Sequence, residues 1–136
     1  MALHWIWCTG LLISVLHIHV DGLTVRTEPL HSGHVLSSTI LKCNHDVPEL
    51  NNRRVVKAWT MISDQTGKEE LVFLANDLED GTGFGRYRDR VNIVGSKADL
   101  NISRLEVADT GDYKCEIDYY VEGLSGEGKT RLKVYE

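Results

Sequence analysis

The chain has 136 residues, enough for one domain, and sets fifteen Lys and Arg against twenty Asp and Glu for a net charge of −5. The two signs are interspersed, so no basic footprint for nucleic acid or for an anionic membrane exists.

In chain order, residues 1–22 (MALHWIWCTGLLISVLHIHVDG) read as a secretory signal. The apolar run Trp5 to Leu16 is too short to span a bilayer, and small Gly22, with Val20 two positions earlier, sets cleavage before Leu23. The remaining Leu23 to Glu136 retains fifteen bases and nineteen acids, a net charge of −4. Cys8 leaves with the signal, and the even pair Cys43 and Cys115 in a secreted chain reads as one disulfide. No second apolar run of spanning length follows, so the mature chain as given is expected to lack a membrane anchor.

Short alternating runs separated by turn residues then recur, the mark of an all-β sandwich or barrel. Thr39, Leu41 and Cys43 share one face of a first strand. Glu70 to Leu74 is a continuous apolar candidate before the turn-rich NDLEDGTGFG. Val91 and Ile93, then Leu100 and Ile102, point inward on two further strands. Tyr113, Cys115, Ile117 and Tyr119 line one face of the next strand, and Leu132 and Val134 are the inward residues of the last.

Between those last two strands, GLSGEGKT (Gly123 to Thr130) satisfies the G-x-x-x-x-G-K-[ST] pattern of phosphate-binding loops. That chemistry needs a helix after the loop, whose N-terminal dipole faces the phosphates. Only RLKVYE follows Thr130, with a period of two, so the stretch is expected to be a glycine-rich hairpin loop.

The cysteines sit in a more specific pattern. Trp59 follows Cys43 by sixteen residues, and Asp109 to Cys115 spell D-x-G-x-Y-x-C. This combination resembles the immunoglobulin variable-type (V-set) domain over essentially all of Leu23 to Glu136. The resemblance implies a β-sandwich of two antiparallel sheets, bridged by Cys43–Cys115 with Trp59 packed on the bridge. It further implies that Tyr113 forms a tyrosine corner and that Arg90 pairs with Asp109.

Within that superfamily, VKAWT, KEELVF, YRDRV, KADLNISRLEVADTGDYKCEI and EGL are similar to the N-terminal immunoglobulin domain of hyaluronan link proteins and aggrecan-type proteoglycans. Lys57 departs from the pattern, because alternation from Trp59 places an apolar residue there; a bulge or shifted register is expected. The family's hyaluronan-binding modules should follow the domain and none precedes Glu136, so hyaluronan binding is carried over to no residue here.

Smaller signals are weaker. Asn101-Ile102-Ser103 is an N-glycosylation sequon, with Asn101 on the outer face of its strand. His31, His34 and His45 match no zinc spacing, and Asn76 to Gly81 lacks the ligand pattern of a calcium loop. Arg86, Arg88 and Arg90 form a basic cluster that a sulfated glycan could contact. No nucleophile elbow or paired-carboxylate site is present, so no catalytic residue, cofactor or metal is expected.

The sequence therefore points to a secreted, non-enzymatic recognition module. Its expected partner is another extracellular protein, a second immunoglobulin domain among the candidates. The sheet that contains Trp59, Phe73, Cys115 and Leu132 would present Thr60, Lys114, Glu116, Asp118, Arg131 and Lys133 to that partner. The link-protein likeness implies a place in the extracellular matrix; the alternative is the ligand-binding head of a cell-surface immune or adhesion receptor.

Overall fold

The computed structural model describes residues 23–47, 54–76 and 80–136, so the expected signal segment lies outside the described residues. Period-two sequences become strands because side chains alternate across a pleated backbone. In chain order the described strands are β1 (Val25–Thr27), β2 (Leu30–His34), β3 (Thr39–Leu41), β4 (Cys43–His45), β5 (Val56–Ser63) and β6 (Glu69–Asn76). β7 (Thr82–Gly83), β8 (Val91–Val94), β9 (Asp99–Ile102), β10 (Gly111–Tyr119) and β11 (Leu124–Tyr135) complete the set.

Six strands form one sheet in the order β2-β11-β10-β5-β6-β7. Opposite it lie β3-β9-β8 and the pair β1-β4, joined into one layer because β3 and β4 continue each other across Lys42. All pairings are antiparallel except that of β2 with β11. Pro29 marks the crossing between layers: it cannot donate to the β1 ladder, and beyond it the chain pairs with the edge of β11 instead. This is the variable-type sandwich that the resemblance implies.

The core forms where the inner faces meet. Leu41, Trp59, Leu100, Ile102, Tyr113, Cys115 and Leu132 are buried there. Burying each large apolar side chain contributes roughly 1.5–3 kcal/mol before the entropy of ordering it is counted.

Two departures from simple alternation have local causes. Trp59 pairs with Phe73 but Thr60 pairs with Leu71, so Val72 is an extra residue in β6. This bulge turns both Val72 and Phe73 into the core, which accounts for the unbroken apolar run there. Lys57 keeps the inward alternation of β5 opposite Ile117, and the register shift falls between Trp59 and Thr60, not at Lys57.

The stretch GLSGEGKT is not a loop. The turn is Tyr120–Glu122, closed by Gly123 in the left-handed region (φ 67°), and β11 begins at Leu124. The glycines inside the strand answer to packing. A Cβ on Gly126 would lie 2.5 Å from the Leu23 carbonyl oxygen, and one on Gly128 would lie 2.7 Å from Thr27 Cγ2. The segment leading through β1 runs close over this part of β11, tied by Leu23 N–H to the Ser125 carbonyl at 3.0 Å and by the Thr27 hydroxyl to the Lys129 carbonyl at 2.6 Å. Glycine serves close approach here.

Candidate functional site

A rigid frame carries the candidate surface. Cys43 of β4 and Cys115 of β10 are disulfide-bonded across the layers. Trp59 is Cys115's neighbour on β5, and its indole N–H donates to the Ala98 carbonyl at 2.9 Å. The Tyr113 hydroxyl donates to the Asp109 carbonyl at 2.6 Å, fixing the entry to β10 to the turn before it.

Asp109 is fully buried and Arg90 only 5% exposed, and the two meet in a bidentate pair at 2.9 and 3.0 Å. Burial alone would raise the Asp109 carboxyl. Hydrogen bonds from Arg90, from the Glu106 N–H at 2.9 Å and from Arg86 at 2.5 Å outweigh it, so the group is held below its ordinary range. Arg90 also donates to the carbonyls of Arg86, Ser103 and Arg104, which leaves its charge well solvated by the chain itself.

Arg86 is the residue that sequence reasoning missed. The short helical turn Gly85–Tyr87 brings its guanidinium onto Asp109, the Tyr87 hydroxyl (2.9 Å) and the Ala108 carbonyl (2.9 Å). Both Arg86 and Arg90 also lie over the Tyr87 ring, at 4.5 and 5.1 Å from its centroid. Burial pushes the Tyr87 phenol up to about 12, and it stays protonated against the Tyr113 hydroxyl at 2.9 Å. The basic cluster Arg86, Arg88 and Arg90 therefore does not gather on the surface. Two of its members are committed to Asp109.

On this frame the outer face of the six-stranded sheet presents polar rows. Asp118 and Lys133 are exposed, while Thr60, Lys114, Glu116 and Arg131 are half-buried by their neighbours. Arg131 bridges Asp64 and Asp112, the latter at 3.0 Å. The face is less uniformly charged than its sequence implies: Ile62 is 45% exposed and Leu71 39%. Leu71 reaches the outside because the bulge at Val72 reverses the facing of β6 residues before it. A shallow cleft of about 480 Å³ lies between Ile62 and Thr60 on one side and Lys129 and Arg131 on the other.

The remaining candidates lie apart from this face. Asn101 projects from β9 on the opposite sheet, its amide near Asn92 (3.3 Å) and the Ser103 hydroxyl (3.2 Å). His31 contacts Glu28, His34 lies near Tyr135, and His45 is buried with Nδ1 accepting from the Val47 N–H. Among the described residues no three His, Cys, Asp or Glu side chains gather as metal ligands. Of the acidic stretch Asn76 to Gly81, residues 77–79 lie outside the described residues.

Lys57 is an inward lysine whose ammonium donates to the Lys97 carbonyl at 2.6 Å. Burial lowers its pKa, and the charge of Lys97 lowers it further. A base held below its ordinary value is destabilising while charged, a penalty that fades as pH rises through the folded value. Lys57→Met is therefore expected to stabilise the domain by up to about 1 kcal/mol near neutral pH, and by less near pH 10. A thermal unfolding midpoint that falls at neutral pH would contradict this.

Residues 29–135 match the family model for the immunoglobulin V-set domain. V-set and immunoglobulin domain-containing protein 1 of Xenopus laevis is 30% identical over 96 residues, which cover 69% of this chain and 30% of that protein. The chain thus spans under a third of the length of this relative. Two solved structures share the fold. Murine CRIg superposes with a TM-score of 0.67 at 18% identity, covering 85% of this chain and 100% of its own. The tandem V-type regions of VCBP3, a v-region-containing chitin binding protein, give 0.68 at 20% identity, covering 84% and 52%.

Proposed function

Because the chain belongs to the immunoglobulin V-set family, we propose that it is a non-enzymatic, extracellular recognition and adhesion module working through the outer face of its six-stranded sheet. The observation that carries this reading is the makeup of that face. It combines charged rows with exposed Ile62 and Leu71 over a strand frame fixed by the disulfide and the Asp109 pair. Polar, partly apolar surfaces of this kind suit transient, salt-sensitive protein contacts. A glycan on Asn101 would sit on the opposite sheet and leave the face open.

Two settings fit. The GDYKCE and EGL likeness supports a link-type matrix protein, in which the domain associates with another immunoglobulin domain while separate modules hold hyaluronan. The Xenopus laevis relative, which by name joins V-set and immunoglobulin domains, supports the head of a cell-surface receptor or adhesion protein. No described helix is long and apolar enough to cross a membrane.

A fluorescent multimer of residues 23–136, offered in parallel to cell-derived extracellular matrix and to cultured cells, tests both. The face reading predicts that a Lys129→Glu, Lys133→Glu multimer loses its binding while an Ile40→Asp multimer, altered on the opposite sheet, keeps it. Retention on matrix supports the first setting and retention on cells the second. Binding indifferent to the Lys129 and Lys133 changes would sink the face reading.

A further inference from the structure

The register between β10 and β11 contains an arrangement that a folded monomer does not favour. Lys114 lies directly opposite Lys129, and one row along, Glu116 lies directly opposite Glu127. Like charges across a strand pair destabilise it. Among the described residues the only ion pair on these rows runs along the strand, Lys114 to Glu116 at 3.7 Å, and Lys129 and Glu127 have none.

The two rows continue across the sheet. Beside Lys114 come Thr60 on β5 and Leu71 on β6; beside Glu116 come Ala58 and Leu74. One row is thus basic at one end and apolar at the other, and its neighbour is acidic at the same end and apolar at the other. The rows are separated by two residues of extended chain, about 7 Å.

From this pattern, resting on the reading of this face as the recognition surface, we propose that its partner is a second copy of this chain. The two copies are related by a two-fold axis that runs between the rows and perpendicular to the strands. That operation lays each row of one copy over the other row of its mate, as an isologous interface requires. Lys114 then meets Glu116 of the second copy, Lys129 meets Glu127, Leu71 meets Leu74, and small Thr60 meets small Ala58. Each contact occurs twice. The next rows out bring Arg131 over Ser125 and Asp112 over Asp118; that carboxylate pair is like-charged, offset by Arg131, which holds Asp112 at 3.0 Å. In the two central rows, charges that repel within one sheet are neutralised between two.

The symmetry supplies a sharp test. Lys114→Glu makes both rows acidic in the central strand, and Glu116→Lys makes both basic, so each variant repels itself. Mixed together, the two restore every ion pair. Both positions are surface positions on an otherwise unchanged frame, and circular dichroism checks that each variant folds. Sedimentation velocity at low salt is expected to show a reversible wild-type dimer, two monomeric variants, and a heterodimer in the equimolar mixture. The wild-type dissociation constant should rise by roughly tenfold or more in high salt. A wild type that stays monomeric, a variant that dimerises alone, or a mixture that fails to pair would overturn the proposal. Any of these outcomes with multimer binding still sensitive to Lys129 and Lys133 would leave the face with a different partner, so the two readings fail separately.

Discussion

Asp109→Ala is expected to unfold the domain near physiological temperature, or to lower its stability by about 3–5 kcal/mol, because it removes the one buried carboxylate that two guanidinium groups share. Arg90 and Arg86 both end on this carboxylate, and Arg90 is almost wholly buried. Arg90 keeps its three carbonyl partners and Glu106 at 3.9 Å, and Arg86 keeps Glu70 at 3.5 Å, but these carboxylates are partly exposed and none replaces the buried bidentate pair. The Glu106 N–H also loses its acceptor. Chemical denaturation of Asp109→Ala and Asp109→Asn measures this, with the amide variant expected to retain part of the hydrogen bonding and so part of the loss. The pH dependence has a definite sign. A carboxylate held below its ordinary value contributes stability that is complete above the unfolded value near 3.9, and it is lost as pH falls through the folded one. The wild type should therefore lose stability below about pH 4 in a step that Asp109→Asn lacks. A variant as stable as the wild type at neutral pH would contradict this account of the frame.

The second large effect is expected from the disulfide. Cys43 and Cys115 are separated by 72 residues, and closing a loop of that length stabilises the fold by about 4 kcal/mol on the chain-entropy model. Replacing both cysteines by alanine adds a cavity beside Trp59, which is buried with them. The double variant is expected to be unfolded or molten at body temperature, with its unfolding midpoint in urea falling sharply. Reduction of the wild type should do the same without the cavity. A midpoint unchanged by reduction would show that the bridge contributes little.

How far the sequence made this legible depends on whether a residue's role is local or set by its neighbours in space. D-x-G-x-Y-x-C is readable because each letter has a fixed geometric task within one turn and one strand, as the Tyr113 hydroxyl on the Asp109 carbonyl illustrates. Leu100 and Ile102 are readable because a half-buried strand must alternate. Arg86 is not, since its route to Asp109 depends on the helical turn at Gly85–Tyr87. β1 and β2 show little alternation and are placed by Pro29 and by pairing with distant β4 and β11. Gly126 and Gly128 look like turn residues, yet what they answer to is a strand passing over them, invisible in local sequence.

The recognition face shows the same limit. Lys114, Glu116, Asp118, Arg131 and Lys133 are outward by alternation alone. Which of them stand side by side is decided by register, and that follows from the four-residue turn Tyr120 to Gly123 between the paired Tyr119 and Leu124. One residue more or less would set Lys114 beside a different neighbour and dissolve the like-charged rows. Leu71 on the same face depends on the bulge at Val72.

Mapping backbone amide chemical shifts of the labelled chain, as unlabelled chain is added at low salt, tests most directly whether this face is the one that binds. The account predicts progressive shifts at Ala58, Thr60, Lys114, Glu116, Glu127 and Lys129, with Ile40, Asn92 and Asn101 on the other sheet unmoved. Shifts centred on that other sheet would contradict the face, and none at any concentration would contradict the self-pairing.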